Sequence, residues 1–228
     1  MEQLAGRYRV VAPDLYGCGK SPAWTGERPM WLDDQTDLLA PAFERAGERF
    51  HLIGHSYGGA IALKAALRFT KKLESLVLYE PVLFSVLLDA APHSPAAREI
   101  MAVRDDVLAW EPAAAAERFI DYWMGKGTWA ATPDSRRATL VDAVQAQTPE
   151  WHSACNEPTP LEAFAALDVP ALLMTGTSST AAARAVARLV GGVLPRVQVE
   201  EIEGLGHMAP VTHPGAVNPR IERFLAEI

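Results

Sequence analysis

Gly54-His55-Ser56-Tyr57-Gly58-Gly59 stands between an apolar run, Phe50-His51-Leu52-Ile53, and the Ala/Leu-rich stretch Ala60-Ile61-Ala62-Leu63-Lys64-Ala65-Ala66-Leu67. A β run that enters a helix through a G-x-S-x-G turn has the layout of a nucleophile elbow, in which the serine hydroxyl projects from the carboxyl edge of a sheet. Such a turn holds Ser56 in a strained backbone conformation. It also explains Gly54 and Gly58, two positions to either side, as places where a Cβ would collide with a neighbouring strand or helix. The plainer reading of the same residues is a structural Gly-rich βα turn.

The rest of the chain repeats the strand-then-helix rhythm. Strands are expected at Arg7 to Ala12, Phe50 to His55, Leu73 to Tyr79, Ala171 to Thr175 and Arg196 to Ile202. Helices are expected around Asp33 to Ala46 (kinked at Pro41), Tyr57 to Phe69, Thr180 to Val190 and Pro214 to Glu227. Alternation of this kind predicts an α/β fold, a mostly parallel sheet with crossover helices. Between Pro81 and about Asp168 the strand rhythm stops. Helical periodicity, repeated prolines and four of the six tryptophans mark an all-helical insertion. The expected division is therefore a core of residues 1–81 and 169–228 with a helical lid over 82–168. Aromatic residues of the insertion, among them Phe84, Trp123 and Trp129, are candidates for an apolar substrate wall, set against the simpler role of packing the insertion's own core.

Composition narrows the function. A net charge of −7 leaves no basic footprint, so neither nucleic acid nor an anionic membrane is an expected partner. Cys18 and Cys155 lie far apart and match no metal or redox spacing, so no metal site is expected and two reduced thiols are. No apolar run approaches membrane-spanning length, and Met1-Glu2-Gln3 does not open a signal peptide, which points to a cytoplasmic protein with a small-molecule substrate. A homo-oligomer is compatible with the sequence but not indicated by it.

Three motifs in order now carry a resemblance. Asp14-Leu15-Tyr16-Gly17-Cys18-Gly19-Lys20-Ser21 fits a D-x-x-G-x-G-x-S loop, Gly54 to Gly59 fits the elbow, and Gly204-Leu205-Gly206-His207 fits a histidine loop after the last strand. From end to end the chain resembles the α/β-hydrolase family, in particular its lidded esterase and epoxide-hydrolase-like branch. The resemblance implies a cofactor-independent hydrolase in which Ser56 is the nucleophile, His207 the general base and the Tyr57 N–H an oxyanion donor. Phe84, Trp123 and Trp129 would then bind an apolar acyl substrate. Carbon–carbon hydrolysis and perhydrolysis are alternatives on the same triad, and a non-catalytic or incomplete homologue is an alternative outside enzymes.

Two departures from the family pattern stand out. Where the acid usually follows the strand after the lid, this chain has Gly176-Thr177-Ser178-Ser179-Thr180, with Ser179 in place of an Asp. Glu80, at the end of the strand after the elbow helix, is the substitute, as in haloalkane dehalogenases; its competing role is to cap backbone N–H groups. Asp14 is expected to brace its own loop, His55 to point into the sheet and serve packing and hydrogen bonding, and His213 to cap or precede the last helix. Secondly, Met1 to Ala5 looks like the helix that should follow a His-Gly oxyanion loop, so the strand before that loop is missing. Either the chain begins late, or the Val10 strand pairs directly with the Ile53 strand. Loss of one oxyanion donor costs about 3 kcal/mol, and weak turnover is expected.

Overall fold

The computed structural model describes residues 2–228. Met1, the first residue of the expected N-terminal helix, lies outside them, and that helix runs Glu2–Ala5. The strands β1 (Phe50–His55), β2 (Leu73–Tyr79), β3 (Ala171–Gly176) and β4 (Val197–Ile202) make one sheet in that order, with every pair parallel. Side chains alternate across it, as the two-residue period of a strand requires. Leu76, Leu78 and Leu173 pack under the elbow helix Ser56–Arg68 and the helix Ala181–Val193. Val77, Tyr79, Leu172 and Met174 face the helix Pro214–Ala226. Covered on both faces, β2 and β3 are apolar almost throughout. The edge strand β4 instead carries Glu200, paired with Arg220 and Arg223.

The expected strand at Arg7 to Ala12 does not form. Arg7 lies in a turn and Tyr8 in a bend, residues 9–12 have no regular structure, and no backbone hydrogen bond joins the segment to β1. A groove of about 750 Å³ lies between residues 8–13 and the outer edge of β1, so direct pairing of the Val10 and Ile53 segments is corrected. A β ladder needs neighbouring chains about 4.8 Å apart, and an open groove is incompatible with that spacing. The expected kinked helix over Asp33 to Ala46 is two helices, Leu32–Leu38 and Ala40–Ala46. Pro41 falls in the first turn of the second, where its missing N–H costs nothing.

Between β2 and β3 the chain is helical, from Phe84–Ala90 through Pro95–Ala109, Pro112–Met124 and Asp134–Ala146 to Glu150–Asn156. Prolines open two of these helices, and the Ser94 hydroxyl caps the first of those by accepting from the Ala97 N–H. The block is tied to the core by Lys64 of the elbow helix, which donates to the buried Glu157 carboxylate at 2.8 Å. No helix among the described residues is long and apolar enough to cross a membrane.

Candidate active site

Ser56 has φ of 55°, in the left-handed region that residues with a Cβ avoid, at a typical cost of about 1–3 kcal/mol. The elbow closes on itself: a Cβ on Gly54 would lie 2.5 Å from the Gly58 carbonyl and 2.7 Å from the Gly59 Cα. The expectation for Gly58 is corrected, since a Cβ there meets nothing within 4 Å. It is Gly59 that is crowded, at 3.0 Å from Pro81, because the elbow helix starts directly against the chain leaving β2.

His207 is delivered by the loop after β4. Its Nε2 lies 2.9 Å from the Ser56 Oγ, and its Nδ1 lies 2.7 Å from the Glu80 Oε2. Three residues spread over 151 positions thus form one hydrogen-bonded line. With Nδ1–H donating to the carboxylate, Nε2 is left bare to accept the serine proton. Tyr57, the residue after the serine, lines the same cavity as Ser56.

Glu80 is fully buried and, like Ser56, has a positive φ, 43°, which turns its carboxylate off the end of β2. Besides His207 it accepts from the Thr175 hydroxyl at 2.8 Å, the Gly176 N–H at 2.7 Å and the Ser179 hydroxyl at 2.6 Å. Burial pushes its pKa up, but the bonds from His207, Ser179 and Gly176 outweigh that and hold the carboxyl below its ordinary range. The two roles weighed for Glu80 therefore coexist: it meets the histidine and also caps a backbone N–H. Ser179, in the position of the missing Asp, solvates the substitute acid.

Further residues support the histidine loop, and their long-range partners carried no sequence signal. His55 does not point into the sheet as expected; it reaches the site, where its Nε2–H donates to the His207 carbonyl at 2.8 Å. Burial, and then the neighbouring His207, push the His55 pKa down to about 4, so it stays neutral while bracing the loop. The Tyr79 hydroxyl holds the same loop through the Gly206 carbonyl at 2.9 Å. The loop crosses so close to β3 that a Cβ on Gly176 would lie 2.0 Å from the Leu205 carbonyl. The signal for Gly176 was its place at a strand end; His55 and Tyr79 act through pairings at sequence separations above 120 and had none.

Above Ser56 and His207 opens a cavity of about 310 Å³ with mostly apolar walls. Phe84 and Trp123 line it as expected, together with Phe119 and Trp151. Phe84 stacks between Trp123 and Trp151, and the Trp123 ring lies 4.2 Å from the His207 ring. The expectation for Trp129 is corrected: it is absent from this wall, buried in the helical block beneath the Arg137 guanidinium, with its backbone N–H bonded to Asp121.

Asp14 braces its loop as expected, accepting from the Lys20 N–H at 3.0 Å, and His213 immediately precedes the last helix. No cluster of three or more metal-ligating side chains occurs among the described residues.

Glu150 also reaches the cavity wall, and burial pushes its carboxyl up to about 8. Cys18 and Tyr57 face it, and its charge raises the pKa of each. Between the ordinary carboxylate value and about 8 the folded chain keeps a proton that the unfolded chain has released, so Glu150 makes stability fall as pH rises. The penalty is absent below the ordinary value and complete above the folded one. Glu150→Gln removes it. The urea midpoint of the variant, relative to the native protein, should climb between about pH 5 and pH 9. A constant difference across that range would contradict the assignment.

Residues 1–220 match the alpha/beta hydrolase family, and the chain belongs to that family. It is a hydrolase. Over 92% of its length it is 30% identical to N-formylmaleamate deformylase of Pseudomonas putida, covering 75% of that protein. Over 34% of its length it is 41% identical to 2-hydroxymuconate semialdehyde hydrolase of a Pseudomonas species, covering 28% of that protein. In fold it matches the crystal structure of a meta-cleavage product hydrolase, CumD, at a TM-score of 0.75 and 18% identity, covering 100% of this chain and 83% of that one. The enol-lactonase of Burkholderia xenovorans matches at 0.76 and 19% identity, covering 99% and 84%.

Proposed function

We propose that the protein is a cofactor-independent serine hydrolase that cleaves a small, largely apolar ester or related acyl compound. The supporting observation is the line Ser56–His207–Glu80, open at its serine end to an aromatic-walled cavity. A serine hydroxyl is a weak nucleophile at neutral pH unless a base takes its proton as it attacks. His207 Nε2 takes that proton while Ser56 Oγ adds to the acyl carbon. The Tyr57 N–H stabilises the oxyanion. The imidazolium, held by the Glu80 carboxylate, then protonates the departing alcohol. Water activated by the same histidine releases the acid and restores the serine.

The helical block over 82–168 acts as a lid. Its tryptophans exclude water and choose the acyl group, while the sheet edge supplies the chemistry.

A fluorophosphonate probe should phosphonylate the peptide that contains Ser56 and no other. Labelling that persists in Ser56→Ala would end the assignment. A smaller effect tests the histidine loop. A Cβ at Gly176 must displace the Leu205 carbonyl, and a shift of about 1 Å in such a site costs about a hundredfold in turnover. Gly176→Ala should therefore lose about that factor in kcat while keeping its far-ultraviolet circular dichroism.

A further inference from the structure

The cavity holds one acidic side chain that the proposed chemistry does not use. Glu150 begins the helix Glu150–Asn156, and its carboxylate has neither a hydrogen bond nor an ion pair with any described residue. Its backbone is fully engaged: the N–H bonds the Gln147 carbonyl, and its own carbonyl accepts from Ser153, whose hydroxyl also meets Tyr57. The side chain is thus held at the wall, partly buried, with nothing to pair with. No Lys or Arg lines the cavity.

An apolar ligand would cut this half-buried carboxyl off from water and give it no partner. An anionic ligand would find no Lys or Arg on the wall, and would meet Glu150. A cation satisfies every element at once. It pairs with the carboxyl in a medium that screens poorly.

We propose that Glu150 recognises a protonated amine carried by the substrate, so that the hydrolase acts on an amino-bearing ester or related acyl compound. This rests on reading the cavity as the acyl site. The raised pKa of the free carboxyl agrees with it, since a bound ammonium supplies the charge whose lack keeps the proton on.

The test compares the phenyl ester of 3-aminopropanoate with phenyl butanoate, which places a methyl where the ammonium stands. The native protein should favour the amino ester by at least about tenfold in kcat/KM, and Glu150→Gln should bring the ratio to about one. Glu150→Asp should recover part of the preference. An equal ratio in native protein and Glu150→Gln overturns the proposal.

A binding arm separates this from failure of the chemistry. Ser56→Ala protein, which cannot turn over ester by the proposed route, is titrated with butylammonium and with butan-1-ol, read by tryptophan fluorescence. Tighter binding of the ammonium that is lost on adding Glu150→Gln supports the proposal whether or not either ester is cleaved. Equal affinities refute it, and leave the hydrolase reading to the labelling of Ser56.

Discussion

Hydrolysis of a chromogenic short-chain ester falls by about six orders of magnitude when Ser56 becomes Ala. On the proposed mechanism the size of the effect follows from the loss of the attacking atom. In the native chain that oxygen lies 2.9 Å from His207 Nε2 and lines the cavity. The variant keeps the cavity and the Tyr57 N–H, so what survives is the modest acceleration that binding and one oxyanion donor supply. His207→Ala should lie close to the same floor, and the double variant no lower, because the two groups act as one unit. Steady-state kinetics on the three proteins, with Ser56→Ala shown folded by its thermal transition, check this. Independent, multiplying losses would mean that the serine and histidine do not work together.

Glu80→Gln should lower kcat by about four orders of magnitude. Four donors converge on Glu80, from His207, Thr175, Gly176 and Ser179, and an ionised carboxylate accepts them all. An amide turns one of its two acceptors into a donor. If its oxygen stays with Thr175 and Gly176, its NH₂ faces His207 and drives the imidazole proton to Nε2, where it blocks transfer from Ser56.

Ser179 then offers a way back. Its hydroxyl is 2.6 Å from the same carboxylate oxygen that holds the histidine. An Asp at 179 would set a carboxylate beside that point, so Glu80→Gln with Ser179→Asp should regain at least about tenfold of the lost rate. Ser179→Asp alone sets two carboxylates in contact, and one of them should hold a proton well above the ordinary carboxylate range. The acid limb of its pH–rate profile should move upward. An unchanged profile, or a double variant no better than Glu80→Gln, would remove Glu80 from its place behind the histidine.

Local signals accounted for much of the fold. The strands at Phe50–His55 and Leu73–Tyr79 appear where apolar runs end at Gly-His-Ser and Glu-Pro, and the elbow is legible because sharp turns impose residue types on neighbours in the chain. Arg7 to Ala12 reads as a strand and forms none, for an equally physical reason. A β-rich composition makes a strand only where a partner edge lies at ladder spacing, and here a groove intervenes. Trp129 shows the same limit at one residue. An aromatic in a helix can face either way, and this one lies beneath Arg137 and off the cavity wall.

What the amino-acid order determined by itself was the set of parts: a strained serine between glycines, a Gly-flanked histidine after the last strand, a carboxylate at a strand end, and a helical block rich in tryptophan. Each depends on residues a few positions apart, where the backbone's steric rules act directly. Tertiary structure alone decided how the parts meet. Glu80 finds Ser179 and His207, His55 braces a loop 152 residues away, and Glu150 arrives unpaired at the cavity wall. Those contacts arise when parallel strands end at one edge and a separate helical block closes over it, because packing and hydrogen bonding act between neighbours in space rather than in sequence.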